Sequence, residues 1–412
     1  MNLVRRLFRR NKQPQNAAFS EQFWPENFFG NVSKSGKSVN VNSALEVTTV
    51  LACLRVIAEG VAQVPLKLFV ERDDGGRDAA KDHSLYRALY RKPNPWQTSF
   101  EFRETLIFHV GLTGNFFAFK NKKRDRVTEL IPFEPGHVSV KMDEKTRRIT
   151  YTINYPGKPA QDFPSETIWH VRGPSWNSWM GLEAVSLARE AIGLAMIAEE
   201  SQALLHGHGG QPGGLYSVEG QLGADQYKAL RDWIEKQITG ENRFKPFILD
   251  RGAKWTPTTM NGVDAQHLET RKHQVEEICR AFRVMPIMIG QAGKAATYAS
   301  AEQMFLAHVI HTLSPWYSRL EQSIDANLLS ESDQSMGFYS KFVPNALMRG
   351  AAKDRSEFYY KMWSMGAMSP NDIRAKEDDN PVEHGDTYYR PANFAPVGEA
   401  VQDGGEDEQI QP

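Results

Sequence analysis

The chain of 412 residues is long enough for two or three domains at the usual size of about 150 residues each. With 41% hydrophobic and 24% charged residues, it has the composition of a folded protein and neither a disordered nor a fibrous one. Its 49 Lys and Arg against 50 Asp and Glu leave a formal charge of −1, which disfavours a protein built to hold DNA tightly, because such proteins carry a basic excess.

No run approaches the roughly 18 uninterrupted apolar residues of a membrane helix, so no membrane is expected. A basic arm opens the chain (Arg5, Arg6, Arg9, Arg10, Lys12), but no apolar segment follows it as a secretory signal demands. Cys53 and Cys279 stand far apart in sequence and outside any Cys-x-x-Cys spacing. They read as reduced, core-facing thiols of a cytoplasmic protein.

After a polar stretch ending near Asn42, Ser43-Ala-Leu-Glu46 has the form of a capping box opening a helix. Val47, Val50, Leu51, Leu54, Ile57 and Val61 then recur at helical spacing. Residues 64–70 read as a strand, Asp73-Asp-Gly-Gly76 as a turn, and Thr98-Ser-Phe-Glu101 as a second capping box before a helix ending near Gly111. Strands are expected over 114–120, 127–132 and 168–171, with further β signal around Val138, Tyr151 and Ile153. The N-terminal half is therefore α+β.

From Gly181 the pattern becomes one long helix with apolar stripes on two sides, which calls for neighbours on two sides. It ends in the glycine-rich run His206-Gly-His-Gly-Gly-Gln-Pro-Gly-Gly214. A β-α-β insertion is expected next, with strands over 215–218 and 245–249 around a helix over 225–239, followed by a second long helix over 265–282. Beyond Pro286 comes a glycine-containing loop, then a third long helix over 300–329 that Pro315 is expected to kink. The chain closes on an acidic tail with Glu399, Asp403, Glu406, Asp407 and Glu408.

Ordered segments along this path resemble the Hong Kong 97-like family of phage portal proteins. They include Ala52-Cys-Leu-Arg-Val-Ile-Ala-Glu59 with Val64-Pro-Leu66, then Lys92-Pro-Asn-Pro95 leading into Phe100-Glu-Phe-Arg103. Gly114-Asn115, His170-Val-Arg-Gly173, Gly181-Leu182 and Ala188-Arg-Glu-Ala-Ile-Gly193 follow. After them stand Leu268-Glu269, Glu277-Ile-Cys-Arg280, Pro286, Gly290, Ala296-Thr-Tyr298, Glu302-Gln303 and Leu313-Ser-Pro315. Each is weak alone, but in order they span roughly residues 43–396.

The resemblance implies an α+β portal fold assembled as a dodecameric ring around an axial channel. On that plan residues 1–42 are a flexible arm, 43–180 a wing, 181–210 and 263–285 stem helices, and 211–262 the clip between them. Residues 286–300 form a tunnel loop, 301–343 the kinked helix and wing return, 344–396 a crown and 397–412 the acidic tail. Gln291, Lys294, Ala296, Thr297 and Tyr298 would face DNA in the channel, and Arg243, Lys245, Lys254 and Trp233 would dock terminase or adaptor from the clip. The implied partners are double-stranded DNA, the large terminase, the major capsid or scaffold protein and a head-to-tail adaptor. The implied place is the portal vertex of a virion, after assembly in host cytoplasm. No catalysis or cofactor is implied. A neutral balance suits a conduit, since each neutralised phosphate raises affinity and would slow a moving polymer.

Chemistry has rivals to this reading. Gly30-Asn-Val-Ser-Lys-Ser-Gly36-Lys37-Ser38 approaches a phosphate-binding loop but has five residues between its glycines where the motif needs four. His206 with His208 and His308 with His311 lack a third metal ligand, and Glu199-Glu200 and Glu276-Glu277 read as solvated or intersubunit charges. Trp176, Trp179, Trp233, Trp255 and Trp316 lack interleaved basic clusters and read as core or subunit contacts rather than base-stacking platforms. The alternatives are a nucleoside triphosphatase or a non-viral scaffold or adaptor protein.

Overall fold

The computed structural model describes residues 31–73, 76–207, 214–217, 223–238, 254–257, 263–291, 298–343, 352–376 and 380–389. The chain forms two compact units, Met1–Phe342 and Val343–Pro412.

The first unit opens with a hairpin, β1 (Asn31–Val32) against β2 (Ser38–Val39), and a short helix α1 (Val41–Glu46). The expected capping box is displaced: the Asn40 side chain caps α1, with Ser43 as its reciprocal partner, and the chain breaks at Val47 before α2 (Thr48–Ala62). Val50, Cys53, Leu54, Ile57, Ala58 and Val61 of α2 are buried, as the 3.6-residue spacing predicts. β3 (Leu66–Glu71) lies between β4 (Arg77–Ala79) and a late strand near the unit's C-terminal end. His83 caps α3 (Ser84–Tyr90) by accepting a hydrogen bond from the Leu85 amide. Thr98 and Glu101 form the predicted capping box of α4 (Ser99–Thr113), which runs past Gly111 to a left-handed Gly114, φ +75°.

Two antiparallel three-stranded sheets share the main core. One has β5 (Asn115–Lys123) at its centre between β6 (Arg126–Phe133) and β10 (Ile168–Arg172); the other joins β7 (Val138–Met142), β8 (Ile149–Ile153) and β9 (Gln161–Pro164). The run Phe116-Phe117-Ala118 is buried on both faces of β5. Phe116 packs edge-on to Phe102 of α4 and to Trp169, while Phe117 meets Tyr151, Phe133, Phe163 and Ile153 from the opposite side. Each fully buried aromatic contributes on the order of 2 kcal/mol of apolar burial.

Past Gly181 the expected single helix is two: α5 (Ala184–Leu187) stops at Ala188 (φ −88°, ψ 5°) and α6 (Arg189–Gly207) follows. The insertion contains β11 (Gly214–Ser217), α7 (Ala224–Ile238) and β12 (Lys254–Pro257), with β11 and β12 antiparallel. β11 thus pairs with a segment the sequence did not mark, and the strand expected over 245–249 lies outside the described residues. α8 (Val263–Phe282) packs against α6 and α2. A single 3₁₀ turn (Pro286–Ile289) ends at left-handed Gly290, and the third long helix starts as α9 (Tyr298–His308). It passes through a π turn, Val309–Leu313, into α10 (Ser314–Leu328). α11 (Glu331–Ser335) and β13 (Phe338–Phe342) complete the unit, β13 pairing with β3.

The second unit holds α12 (Ala352–Ser364), α13 (Pro370–Lys376) and the described residues 380–389. Asn371 organises it. Its side chain donates to the Val382 carbonyl (3.0 Å) and to Asp386 (2.9 Å), and accepts from the Val382 amide (2.8 Å).

Candidate functional site

Among the described residues, the closest backbone approach at a glycine forms a joint. It lies where the chain leaves β10 for α5 and α6. Gly114, Gly173 and Gly181 cross so closely that a Cβ on Gly181 would overlap the Gly114 carbonyl, and one on Gly114 would overlap the backbone of Leu182. The Gly173 amide donates to the Gly114 carbonyl at 2.8 Å, and Arg319 of α10 donates to the carbonyls of Arg172 (3.1 Å) and Gly173 (3.0 Å).

Beside the glycines, Asn115 Oδ1 accepts from the Gly181 amide (2.8 Å) and lies 3.0 Å from His170 Nε2, while its Nδ2 donates to the Thr113 carbonyl (2.8 Å). His170 Nε2 must therefore carry the proton, which leaves Nδ1 to accept from the Tyr151 hydroxyl at 3.1 Å. Burial, with help from Arg172, lowers the His170 pKa to about 3, so the imidazole is neutral. Asn115 and His170 thus tie two sheets to the segment from which α5 and α6 depart.

Further along, α2, α6 and α8 enclose a cavity of about 430 Å³ whose lining includes Val47, Ala195, Ala198, Val275, Ile289 and Gln291. Gln274 is 7% exposed there, and its Oε1 has no hydrogen-bond partner. Cys53 of α2 and Cys279 of α8 are both buried with their sulfurs 3.8 Å apart. The core-facing reading of the two thiols holds, but their sequence separation hid that they touch. The hydrogen bond to Cys279, then burial, raises the Cys53 pKa.

The third long helix has unequal halves. Tyr317, Leu320, Ile324 and Leu328 of α10 are buried, and the Tyr317 hydroxyl donates to the Gly60 carbonyl at 2.9 Å. Upstream, Met304, Phe305, Leu306 and Ile310 are 37%, 42%, 47% and 51% exposed. Pro315 stands at the start of α10, directly after the π turn in which the Ser314 amide reaches back to the Val309 carbonyl. Proline offers no amide to the preceding turn, and a π turn is one way a helix absorbs that loss.

Of the residues expected to face a channel, Gln291 is exposed at the exit of the 3₁₀ turn and lines the cavity, and Tyr298 is the first residue of α9. Lys294, Ala296 and Thr297 lie outside the described residues, as do Arg243 and Lys245. Lys254 pairs with Ser217 across β12 and β11, and Trp233 sits half-buried on α7.

The competing chemical readings meet specific geometry. Around Lys37 the chain is a hairpin whose turn is closed internally, Ser33 N to Lys37 O at 2.8 Å and Gly36 N to Ser33 O at 2.9 Å, so it forms no strand-loop-helix cradle for phosphate. Lys37 itself pairs with Glu200 at 2.6 Å. His308 is buried and His311 exposed, and among the described residues no three His, Cys, Asp or Glu converge. Trp176 is 91% exposed, which a core role does not explain.

Sequence reasoning missed a buried polar clasp. Asp333 is 1% exposed; its Oδ1 accepts from Arg126 at 2.7 Å, its Oδ2 from Ser330 at 2.7 Å, and His83 Nε2 lies 3.3 Å away. It also missed Arg103, buried in α4, whose guanidinium donates to the carbonyls of Ala62 (2.6 Å) and Leu89 (3.2 Å). Only Asp333 three residues after a capping Ser330 left a local trace.

Residues 48–378 match the family model described as phage portal protein. The chain belongs to the phage portal protein family. It is 27% identical over 365 residues to the portal protein of Enterobacteria phage HK97, covering 87% of this chain and 85% of that one. It is 28% identical over 384 residues to the probable portal protein of Streptomyces phage phiC31, covering 90% and 83%. The fold matches a chain in the virion of a native gene transfer agent particle (TM-score 0.57, 22% identity, 83% of this chain and 94% of that chain). It also matches the crystal structure of an HK97-family phage portal protein from Corynebacterium diphtheriae (TM-score 0.56, 16% identity, 75% and 96%). The α+β portal fold expected from the sequence is thus the fold observed. The joint at Gly114, Asn115, His170 and Gly181 gives the portal-like segments around those residues a physical reason.

Proposed function

We propose that the chain assembles as a closed ring at one capsid vertex and serves as the conduit for double-stranded DNA during packaging and ejection. Family membership across residues 48–378 carries the reading. The apolar start of the third long helix supports the ring in particular. Gln303, Met304, Phe305 and Leu306 are exposed at four consecutive positions, so they point in every direction around the helix. Met304, Phe305 and Leu306 make more than half of that circumference apolar, and exposed apolar surface of this extent marks contact with another chain, which in a ring is the neighbouring copy. A chain of similar fold belongs to the neck of a native gene transfer agent particle computed with C12 symmetry, and about twelve subunits is the expected number here.

In this reading α6 and α8 are the stem, and β11, α7 and β12 belong to the clip that docks terminase and later an adaptor through Trp233, Arg243, Lys245 and Lys254. Residues 286–300 are the tunnel loop, with Gln291, Lys294, Ala296, Thr297 and Tyr298 toward DNA, and Pro315 marks the flexure of the helix behind it. Residues 43–180 are the wing and 344–396 the crown, and the ring nucleates head assembly with the capsid or scaffold protein. The role is mechanical and needs no catalysis.

Negative-stain electron microscopy of the purified chain tests the assembly directly. Rings of about twelve subunits with an open axial hole are the expected result; a uniform population of monomers or dimers would overturn it. Deleting residues 291–297 is expected to leave rings intact and impair packaging.

A further inference from the structure

A basin of about 840 Å³ opens where β3, the turn before α3 and the end of α3 meet. Five cations line it: Lys67, Lys81, Arg87, Arg91 and Lys92. The rings of Tyr86 and Tyr90, 5.5 Å apart, complete the lining, and Lys67 Nζ lies 5.3 Å above the Tyr90 ring. No acidic side chain lines the basin, and none of the five cations forms an ion pair among the described residues. In a chain whose net charge is −1, this is a local concentration of uncompensated positive charge.

Helix electrostatics accounts for part of the cluster and no more. Arg87, Arg91 and Lys92 stand at the C-terminal end of α3, where cations are favoured. Lys81 precedes the N-terminal end, where a cation is disfavoured, and Lys67 comes from a strand. The composition also separates candidate ligands. The buried centres of protein-protein interfaces are apolar and depleted in lysine. This basin offers no aliphatic anchor, three lysines and two arginines, the balance of surfaces that meet a nucleic-acid backbone.

We propose that this basin is a binding site for the phosphodiester backbone of duplex DNA, separate from the axial channel. It holds phosphates through Lys81, Arg87, Arg91 and Lys92, with Lys67 braced on Tyr90, and reads no sequence because nothing in it is shaped for base edges. The contact is weak and salt-sensitive, a resting place for DNA and not an anchor. The assignment rests on the proposed function only in that a portal ring keeps duplex DNA close at hand.

The test uses the purified full-length chain and a fluorescein-labelled 20-base-pair duplex, with anisotropy measured at several KCl concentrations. Wild type is compared with the triple variant Lys81→Gln/Arg87→Gln/Arg91→Gln, three exposed positions that form no ion pair among the described residues. The expected result is at least a tenfold weaker affinity at low salt and a log-log salt slope shallower by roughly two to three, about 0.9 per lost phosphate contact. An Arg5→Gln/Arg6→Gln/Arg9→Gln/Arg10→Gln background removes the basic arm's share and is expected to preserve the difference. Equal affinity and slope for wild type and the triple variant would overturn the site. So would poly-glutamate of matched charge displacing the duplex as well as unlabelled duplex does, since the basin would then be a dock for acidic protein. Electron microscopy of the same samples separates the two readings: absent rings with an intact salt-slope difference count against the ring, whereas intact rings without that difference count against the basin.

Discussion

Gly114, Asn115, His170 and Gly181 bring backbone and side-chain groups into a space that no Cβ can enter, and each polar atom there finds its partner within the same chain. Met304, Phe305, Leu306 and Ile310 present the opposite case, with 37% to 51% of each left exposed. The first region is finished when one copy folds. On the ring proposal, the second is finished by other copies. Substitutions at the joint therefore register in the stability of the isolated chain, while substitutions along α9 register in assembly.

The sharpest way to break the contrast is Gly181→Ala. The added methyl overlaps the Gly114 carbonyl, backbone that cannot swing aside, and we expect a loss of about 3 kcal/mol in urea unfolding, or no soluble protein at all. Gly157→Ala is the control without a clash: Gly157 has a positive φ (+74°), which Gly181 lacks, and open space around it, so about 1 kcal/mol is expected there, the conformational cost alone. Equal losses at the two positions would show that the crossing is looser than it looks.

Asp333→Ala tests whether the clasp between α3, β6 and α11 belongs with the joint. It strips the carboxylate from His83 and Arg126, and breaking a buried pair costs several kcal/mol when the orphaned charge stays buried. Arg126 is 43% exposed and His83 is neutral at neutral pH, so we expect about 2 kcal/mol by the same assay, with Asp333→Asn losing less.

Acid probes the joint through its buried histidine. Burial holds His109 and His170 at about 3, below the 6.5 of a free imidazole. Between those values the unfolded chain binds more protons than the folded one, so stability is full above pH 6.5 and falls as pH drops toward 3. Each histidine contributes a slope of about 1.4 kcal/mol per pH unit. His170→Gln is expected to lower stability at pH 7 and to halve the two histidines' combined slope between pH 6 and 5. An unchanged slope would mean that His170 is solvated.

Much of the secondary structure was legible because it depends on local pattern. The Thr98 to Glu101 box, the apolar spacing of α2 and the Phe116-Phe117 run predict what forms there. The misses have a common physical origin. β12 formed where the sequence marked no strand, α5 broke from α6 at Ala188, and Asn40 displaced Ser43 as cap through contacts that propensity does not encode. At the joint, glycine and asparagine were visible in the portal-like segments, but nothing local says that Gly114 and Gly181, far apart in sequence, share one carbonyl's width. The Cys53 to Cys279 contact was hidden for the same reason. Of the expected channel and clip residues, those in the described segments are spread over the exit of the 3₁₀ turn, α9, α7 and β12.

The smallest expected effect on the chain is the one that decides what α9 is for. Phe305→Ser with Ile310→Ser removes apolar surface that is already 42% and 51% exposed, so little burial is lost within one copy and unfolding is expected to move by no more than about 0.5 kcal/mol. In a ring those positions are repeated in every subunit, and a modest loss at each interface acts on closure as a whole. Analytical ultracentrifugation is therefore expected to show a shift from rings to monomers at matched concentration, with melting of the monomer unchanged. If rings persist in the double variant, α9 is covered by something other than its neighbours, and the helix that follows the proposed tunnel loop must be reassigned to a surface that meets DNA or another head protein.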